Sequence, residues 1–399
     1  MDLTKKTIIK KLFNELNVKC NYAILHHIEN IFNDSDDIDF IVDISRREMH
    51  SFLKWFSLEN NLFLGKSFRI SSGIYRYDLF FYLNNELKKI ELDCACRSKG
   101  YDELMIDSFK LLQNRVVVVV NDCQLYKVSN LDEIKYYIKK KAYKSKPIVG
   151  YEEYFKKLDS SVTLEEITLR HKQLEDYYNS GFYKLKKVLL KGMLLFSRLC
   201  ESPSYSICFL GPDGSGKSTI INEIIKSNIF INNYYFHLKP IPQKENKNVS
   251  VVSDPHNYKP YSLIKSWIKL VVFLYQYNLG WLRNIIPLKV KPSLIIFDRY
   301  YDDLLVDNKR YRYGGGRAVA KFVKLFIPRP EIYFVLSASA KIIYNRKQEV
   351  QFKELERQII EYKSLTDGKR YILIDVDKEP QDVVFEVIKN LIIKMNEGH

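Results

Sequence analysis

The stretch Gly211-Pro-Asp-Gly-Ser-Gly-Lys-Ser-Thr219 fits G-x-x-x-x-G-K-[ST] at every fixed position. Before it runs Ser206-Ile-Cys-Phe-Leu210, short, apolar and partly β-branched, which reads as a buried parallel strand. After it runs Thr219-Ile-Ile-Asn-Glu-Ile-Ile-Lys226, with apolar residues at helical spacing. Strand, glycine loop, helix is the context this phosphate-binding motif needs. Glycine lets the backbone fold around an anion, so that successive N–H groups point inward. The helix N-terminus adds roughly half a positive charge. Gly211, Gly214, Ser215, Gly216, Lys217, Ser218 and Thr219 are therefore the candidate cofactor-binding residues. Lys217 is placed to reach the β- and γ-phosphates of ATP, and the Ser218 hydroxyl to ligate Mg²⁺. ATP and Mg²⁺ are the expected cofactors.

The rest of the chain frames this motif. Its 399 residues favour two or three domains. Hydrophobic residues make up 46% and charged residues 28%, enough for ordinary cores in a soluble chain. A net charge of +15 suits phosphate-rich ligands, nucleic acid or an anionic membrane surface and does not choose among them. Six scattered cysteines lack zinc spacing and read as small buried residues of a reducing cytosol. The polar start Met1-Asp-Leu-Thr-Lys-Lys6 lacks the apolar core of a signal peptide, so a cytoplasmic location is expected. Val188 to Phe196 and Leu263 to Leu282 are the most apolar runs, but lysines interrupt both, and they read as core-facing helices.

Three regions are expected. Residues 1–148 mix helices and strands and are read as an α+β domain. Pro147 and Gly150 mark a break, and 149–203 reads as a charged helical linker with helices over 151–158, 164–178 and 183–199. Ser202-Pro-Ser204 marks a second break. In 204–399 strands and helices alternate, which predicts α/β architecture with a parallel sheet flanked by helices. Candidate strands are Tyr234-Tyr-Phe236, Val249-Ser-Val-Val252, Leu294-Ile-Ile-Phe-Asp298, Ile332-Tyr-Phe-Val-Leu336 and Tyr371-Ile-Leu-Ile-Asp375. Ligands of such sheets sit beyond the carboxyl ends of the strands, so the glycine loop and Asp298 share one edge.

Asp298 at a strand end is placed to hold Mg²⁺, and Arg299 beside it to clamp a phosphate. Gly314-Gly-Gly-Arg317 with Arg312 reads as a flexible basic loop at the same edge. Ser339 to Glu349 reads as a helix whose Arg346 and Lys347 belong to a mobile lid. This set, in this order, resembles the thymidylate kinase-like branch of the nucleoside monophosphate kinases, over roughly Tyr205 to Met395. The telling elements are the acid Asp213 inside the loop, the triplet Asp298-Arg299-Tyr300 and the later Gly314-Gly-Gly-Arg317. The resemblance implies catalytic roles for Lys217, Asp298, Arg299, Arg346 and Asp213. Asp213 would meet the acceptor's sugar hydroxyl, Arg299 its phosphate, and Arg346 the transferring group.

Two departures stand out. Where thymidylate kinases have F-P-x-R after the second strand, this chain has Phe236-His-Leu-Lys-Pro240. The helix that carries a base-reading arginine in that family reads Phe273-Leu-Tyr-Gln-Tyr-Asn-Leu-Gly280, without one. Asp254-Pro-His256 and the run from Asp298 to Asp307 look like a bacterial thymidylate kinase-like subgroup that often accompanies polysaccharide biosynthesis. The expected partner is therefore a small phosphorylated or hydroxylated acceptor, a nucleoside monophosphate or a sugar phosphate. No nucleic acid partner and no membrane span are expected, and a homodimer is left open.

In the N-terminal region Asp37 and Asp39 stand two apart on a strand, so both carboxylates face one way. A hairpin, Tyr77 to Leu83, Asn84-Asn85, Glu86 to Cys94, can bring Asp93 beside them. Three such acids can hold two metal ions for nucleotidyl transfer. The pattern resembles the nucleotidyltransferase fold over about residues 15–145, although Ala23-Ile-Leu-His-His-Ile-Glu29 lacks that family's Gly-Ser pair. Lys139-Lys-Lys-Ala-Tyr-Lys-Ser-Lys146 reads as a solvated helix end. Three functions are thus carried forward: a kinase with an appended nucleotidyltransferase-like domain, a nucleic-acid-associated or regulatory P-loop NTPase, and an N-terminal nucleotidyltransferase with a P-loop sensor.

Overall fold

The computed structural model describes residues 4–33, 37–71, 73–84, 86–97, 107–227, 229–242 and 258–397. Val249–Val252, Asp254–His256, Asp34, Ser35 and Asn85 lie outside the described residues. The chain divides into two units, Met1–Glu201 and Ser202–His399.

The first unit is built on alternation along strands. β2 (Ile38–Val42) sends Ile38, Phe40 and Val42 into one core and Ile41 into another on the opposite face. β6 (Glu86–Cys96) does the same with Leu92, Cys94 and Cys96 against Ala95. The first core is closed by α1 (Lys5–Lys19) and α2 (Arg46–Glu59), whose Ile8, Leu12, Phe13, Met49, Leu53 and Phe56 recur at helical spacing. Ser45 and Glu48 start α2 with a reciprocal capping box. The second face meets α3 (Ser108–Gln113) and α4 (Asn130–Tyr143) through Leu112 and Tyr136. β1 (Tyr22–Ile24) pairs antiparallel with β2, and β2 pairs parallel with β6. β6 and β5 (Ile74–Leu83) form the expected hairpin, with Leu83 opposite Glu86 and the left-handed Asn84 at the turn.

The helical stretch read from sequence as a separate linker belongs to this first unit. Phe155 of α5 (Glu152–Leu158) and Ile167 of α6 (Leu164–Asn179) share a core with Ile134, Tyr137 and Ile138 of α4. The break at Gly150 is a local left-handed turn, φ 92°, inside the unit. The third helix, α7 (Gly181–Cys200), buries Tyr183.

The second unit holds five parallel strands in the order β10 (Asn232–His237), β11 (Ser293–Asp298), β9 (Tyr205–Leu210), β12 (Ile332–Ser337), β13 (Tyr371–Asp375). β9, β11 and β12 are buried at every position, as near-continuous apolar strands of a parallel sheet should be. One face carries a core of Cys208, Leu210, Ile295 and Phe297 with Phe273 and Tyr277 of α9 (Leu263–Gly280) and Tyr362 of α14 (Phe352–Lys363). α8 (Lys217–Lys226) and α15 (Pro380–Glu397) pack against each other and against the sheet. From the central β9 the chain runs to the edge strand β10, returns to β11 between them, and then crosses to β12 and β13 on the other side, so the loop after β9 lies at the topological switch point. No described helix is long and apolar enough to cross a membrane.

Candidate functional site

The loop between β9 and α8 takes a shape that its glycines permit. Gly211, Gly214 and Gly216 have φ of 148°, 86° and 82°. A Cβ on Gly211 would also stand 2.7 Å from the Leu336 carbonyl oxygen. Lys217 is buried and folds back over this loop. Its Nζ donates to the carbonyls of Gly211 and Pro212, both at 2.8 Å, and to Ser215 Oγ at 3.4 Å. Burial, then the nearby Arg299, push its pKa down to about 7. Ser215 is buried, whereas Ser218 and Thr219 on the first turn of α8 are exposed.

Asp298 ends β11 in register with Phe209 of β9 and His237 of β10. Its Oδ2 accepts from Tyr235 Oη at 3.0 Å and lies 3.7 Å from His237 Nδ1. Oδ1 is buried and has no hydrogen-bond partner. Burial raises the pKa of this carboxyl, but His237 and Lys217 outweigh it and leave the group below its ordinary value. An ionised, buried carboxylate oxygen without a protein donor fits a magnesium ion or its water. The loop glycines and Lys217 fit the phosphates of a nucleotide on the same edge.

Arg299 adopts left-handed backbone, φ 68°, strained for an arginine and held by its own amide donating to the Phe209 carbonyl at 3.0 Å. The turn sends its guanidinium inward, where it is 3% exposed. Nη1 donates to both oxygens of Asp303, at 2.9 and 3.0 Å, and Nη2 donates to Asp213. Asp303 lies on α11 (Asp302–Val306), is fully buried, and also accepts from Tyr311 Oη at 2.7 Å and from Tyr362 Oη. Asp213 accepts a second arginine, Arg310. Burial alone would raise the pKa of Asp213, yet Arg299 holds it well below the carboxylate range. Asp213, Lys217, Asp298 and Arg299 thus form one charged group at the switch point, joined by Asp303 and Arg310.

Other expected residues are placed differently. The helix read over 339–349 is α13 (Ala340–Arg346) and ends at Arg346, which is exposed and donates to the Val376 carbonyl at 3.1 Å. Lys347 is near the glycine loop: a Cβ on Gly214 would lie 3.1 Å from its Cβ, and it pairs with Glu349 at 2.5 Å. In the Gly314–Gly316 loop, Gly314 makes a close approach, since a Cβ there would stand 2.2 Å from the Tyr261 carbonyl oxygen, while a Cβ on Gly316 would meet open space. Arg317 opens α12 (Arg317–Lys324) and is taken up by a two-pronged pair with Glu361.

In the first unit, parity does place Asp37, Asp39 and Asp93 toward one face, with Asp39 in register with Asp93. In the structure all three are engaged by basic side chains of the same unit. Arg76 stands opposite Asp93 on β5 and donates to it through Nε at 2.6 Å and Nη2 at 2.7 Å, to Asp37 at 3.0 Å and to Glu91 at 2.5 Å. Asp39 is taken by His26 at 2.7 Å and Lys140 at 2.9 Å. Among the described residues no group of three or more His, Cys, Asp or Glu side chains is arranged to hold a metal ion. The lysine run is also not simply solvated, because Lys140 reaches Asp39 and Lys141 donates to Tyr151 Oη at 2.8 Å. Of the cysteines, Cys94, Cys96, Cys123 and Cys208 are buried as expected and Cys200 is exposed.

Asp303, Arg310, Tyr311 and Tyr362 are the site residues not singled out from the sequence. Asp303 carried a readable signal, four residues after Arg299. Arg310 carried none, since its partner Asp213 is 97 residues away.

No family model matches the sequence, and no curated protein matches it. Among solved structures, the chain is similar to thymidylate kinase from Ehrlichia chaffeensis, at 20% identity over 47% of this chain and 98% of that one, TM-score 0.34. It is also similar to thymidylate kinase from Candida albicans, at 16% identity over 49% of this chain and 92% of that one, TM-score 0.36. Likenesses at this level carry no argument about activity, which rests on the residues themselves.

Proposed function

We propose that the second unit is an ATP-dependent, Mg²⁺-dependent phosphotransferase of thymidylate kinase-like type, moving the ATP γ-phosphate to a small phosphorylated or hydroxylated acceptor. The observation that carries this reading is the charged group at the switch point. A generic P-loop needs Lys217 and an acid such as Asp298. It has no need of an acid inside the loop, Asp213, held by two arginines. That acid and those arginines suit a second substrate beside the nucleotide, and they favour a kinase over a regulatory NTPase. ATP would be held by the loop amides and Lys217. Mg²⁺, held by Ser218 and Asp298, would supply charge neutralisation at the phosphates.

The remaining roles follow from this chain's own groups. Asp213 is placed to accept from an acceptor hydroxyl. Arg299 is oriented from behind by Asp303, so its role toward the acceptor phosphate is that of a preset donor. Arg346 would act only after leaving the Val376 carbonyl, and Lys347 lies nearer the loop. For the first unit we propose a nucleotidyltransferase-like scaffold whose acids are neutralised within the chain by Arg76, Lys140 and His26.

The test is ATP turnover with Mg²⁺ against a panel of nucleoside monophosphates and sugar phosphates. Lys217→Ala should lower turnover on the best acceptor by about 10²- to 10³-fold, the loss typical of one transition-state donor. Turnover unchanged in that variant would end the kinase assignment.

A further inference from the structure

Three cations gather beside the site, and among the described residues no acid pairs with them. Lys239 follows β10 and holds its Nζ 4.5 Å from the centre of the Phe273 ring. Lys269 on α9 lies 5.7 Å from the same ring and donates to the Tyr311 carbonyl at 2.5 Å. Arg312 is left-handed, φ 51°, and stacks over Tyr261 at 4.4 Å while donating to the Lys259 carbonyl at 3.2 Å. Lys269 also faces the Tyr261 ring at 5.4 Å, so one set of rings frames all three cations. Each is only partly exposed. No described carboxylate pairs with any of them.

Such a cluster is costly as it stands. Burial depresses both lysines, and Lys239 and Arg312 depress Lys269 further, so the three charges repel one another. Carbonyl oxygens and ring faces offset only part of that cost. An anion would offset far more through charge-assisted hydrogen bonds. The cluster is also physically joined to the phosphoryl-transfer residues. Tyr311 accepts from Lys269 with its carbonyl and donates to Asp303 with its hydroxyl, and Asp303 in turn holds Arg299. A ligand seated at Lys239, Lys269 and Arg312 is therefore linked to the guanidinium of Arg299 through Tyr311 and then Asp303. The helix that carries Lys269, α9, presents Phe273 and Tyr277 as buried rings and no arginine.

We infer that Lys239, Lys269 and Arg312 form an anion subsite that binds a phosphate-class group on the acceptor, at the end away from the group that receives the γ-phosphate. The acceptor class this assigns is a small molecule with a phosphate remote from its reacting oxygen, such as a sugar phosphate. A neutral pyrimidine ring would leave three half-buried cations unmatched. The inference rests on the phosphotransferase reading only for calling the ligand an acceptor; the anion site itself does not depend on it.

Inorganic phosphate is the probe, titrated calorimetrically into Lys217→Ala protein so that the loop lysine contributes nothing. Lys239→Met and Lys269→Met, each added to that background, should weaken phosphate binding by about 10- to 150-fold, the loss of one charged hydrogen bond. Lys239→Arg should retain binding, which separates charge from folding. With Lys217 intact, Lys239→Met should leave ATP affinity unchanged and raise the KM of a sugar phosphate acceptor. Phosphate affinity that neither methionine variant alters would overturn the inference. Lost phosphate binding in a protein that transfers no phosphoryl group would keep the anion site and remove the kinase reading instead.

Discussion

Asp303 gives the sharpest test of the site's architecture. It is fully buried and meets the Arg299 guanidinium with both oxygens, at 2.9 and 3.0 Å, while two tyrosine hydroxyls donate to the same carboxylate. Asp303→Asn keeps the volume and removes the charge. One acceptor oxygen is lost and an amide N–H₂ is turned toward donors. Arg299 is then left buried with Asp213 as its remaining counter-ion. Breaking a buried pair in this way costs about 3 to 5 kcal/mol. Against a typical total of roughly 5 to 15 kcal/mol, that is a large share. For a unit of this size it lowers Tm by about 6 to 20 °C. Tryptophan fluorescence follows the melt; Trp267 and Trp281 belong to the second unit, and a Trp55→Phe background silences the first. The pH dependence has a fixed sign. Burial raises the Asp303 pKa, but Arg299 and the tyrosines outweigh it and leave it depressed. Its stabilisation is therefore present above the unfolded carboxylate value of about 3.9 and disappears as pH falls through the lower folded value. The gap between wild type and Asp303→Asn should be full at pH 7 and should close in strong acid. Adding Arg299→Met should recover part of the loss, because an apolar replacement of a buried pair is tolerated better than half of one. A Tm drop below about 2 °C at neutral pH, or a gap that persists unchanged in strong acid, would refute the reasoning.

Three further outcomes are expected. dTMP should be a poor acceptor, with kcat/KM below about 10⁴ M⁻¹s⁻¹ in a coupled ADP-release assay, because α9 offers no arginine to a base. Asp78 is pushed up to about 7, first by burial, and its Oδ1 has no hydrogen-bond partner, so the first unit should lose stability as pH rises through 7; in melts at pH 5 and pH 8, Asp78→Asn should flatten that slope. Arg76→Gln should lower the Tm of the first unit and make it sensitive to Mn²⁺, which would restore the lost charge balance among Asp37, Glu91 and Asp93; a Tm that Mn²⁺ leaves unmoved would show that those acids are not poised for a cation.

The glycine loop between β9 and α8 was legible because its signal is local. Nine consecutive residues carry the motif, and the flanking strand and helix announce themselves by apolar content. The five strands of the second unit were read, to within one or two residues at each end, for the same reason. What local pattern cannot carry is the pairing of charges across long stretches of chain. The three N-terminal acids show this well. Their shared face was legible from strand parity, but their neutralisation depended on Arg76, one residue before the point where the hairpin was taken to begin. Seven positions back from Leu83 and seven on from Glu86, the ladder sets Arg76 directly opposite Asp93. His26 and Lys140 reach Asp39 from elements 13 and 101 residues away, beyond any periodicity. Arg346 closes the last turn of its helix, and the chain leaves α13 there, so the cation nearer the loop is its neighbour Lys347.

The position of β9 has a mechanical consequence. It is buried at all six residues and hydrogen-bonded on both sides, to β11 and to β12. Amides in such a strand exchange with solvent only when the whole unit opens. Those of β10 and β13, each bonded to one neighbouring strand among the described residues, are released by far smaller fluctuations. The glycine loop is therefore mounted on a strand held on both sides. Its root stays fixed, so reorientation of the loop's peptide planes is not transmitted down the strand.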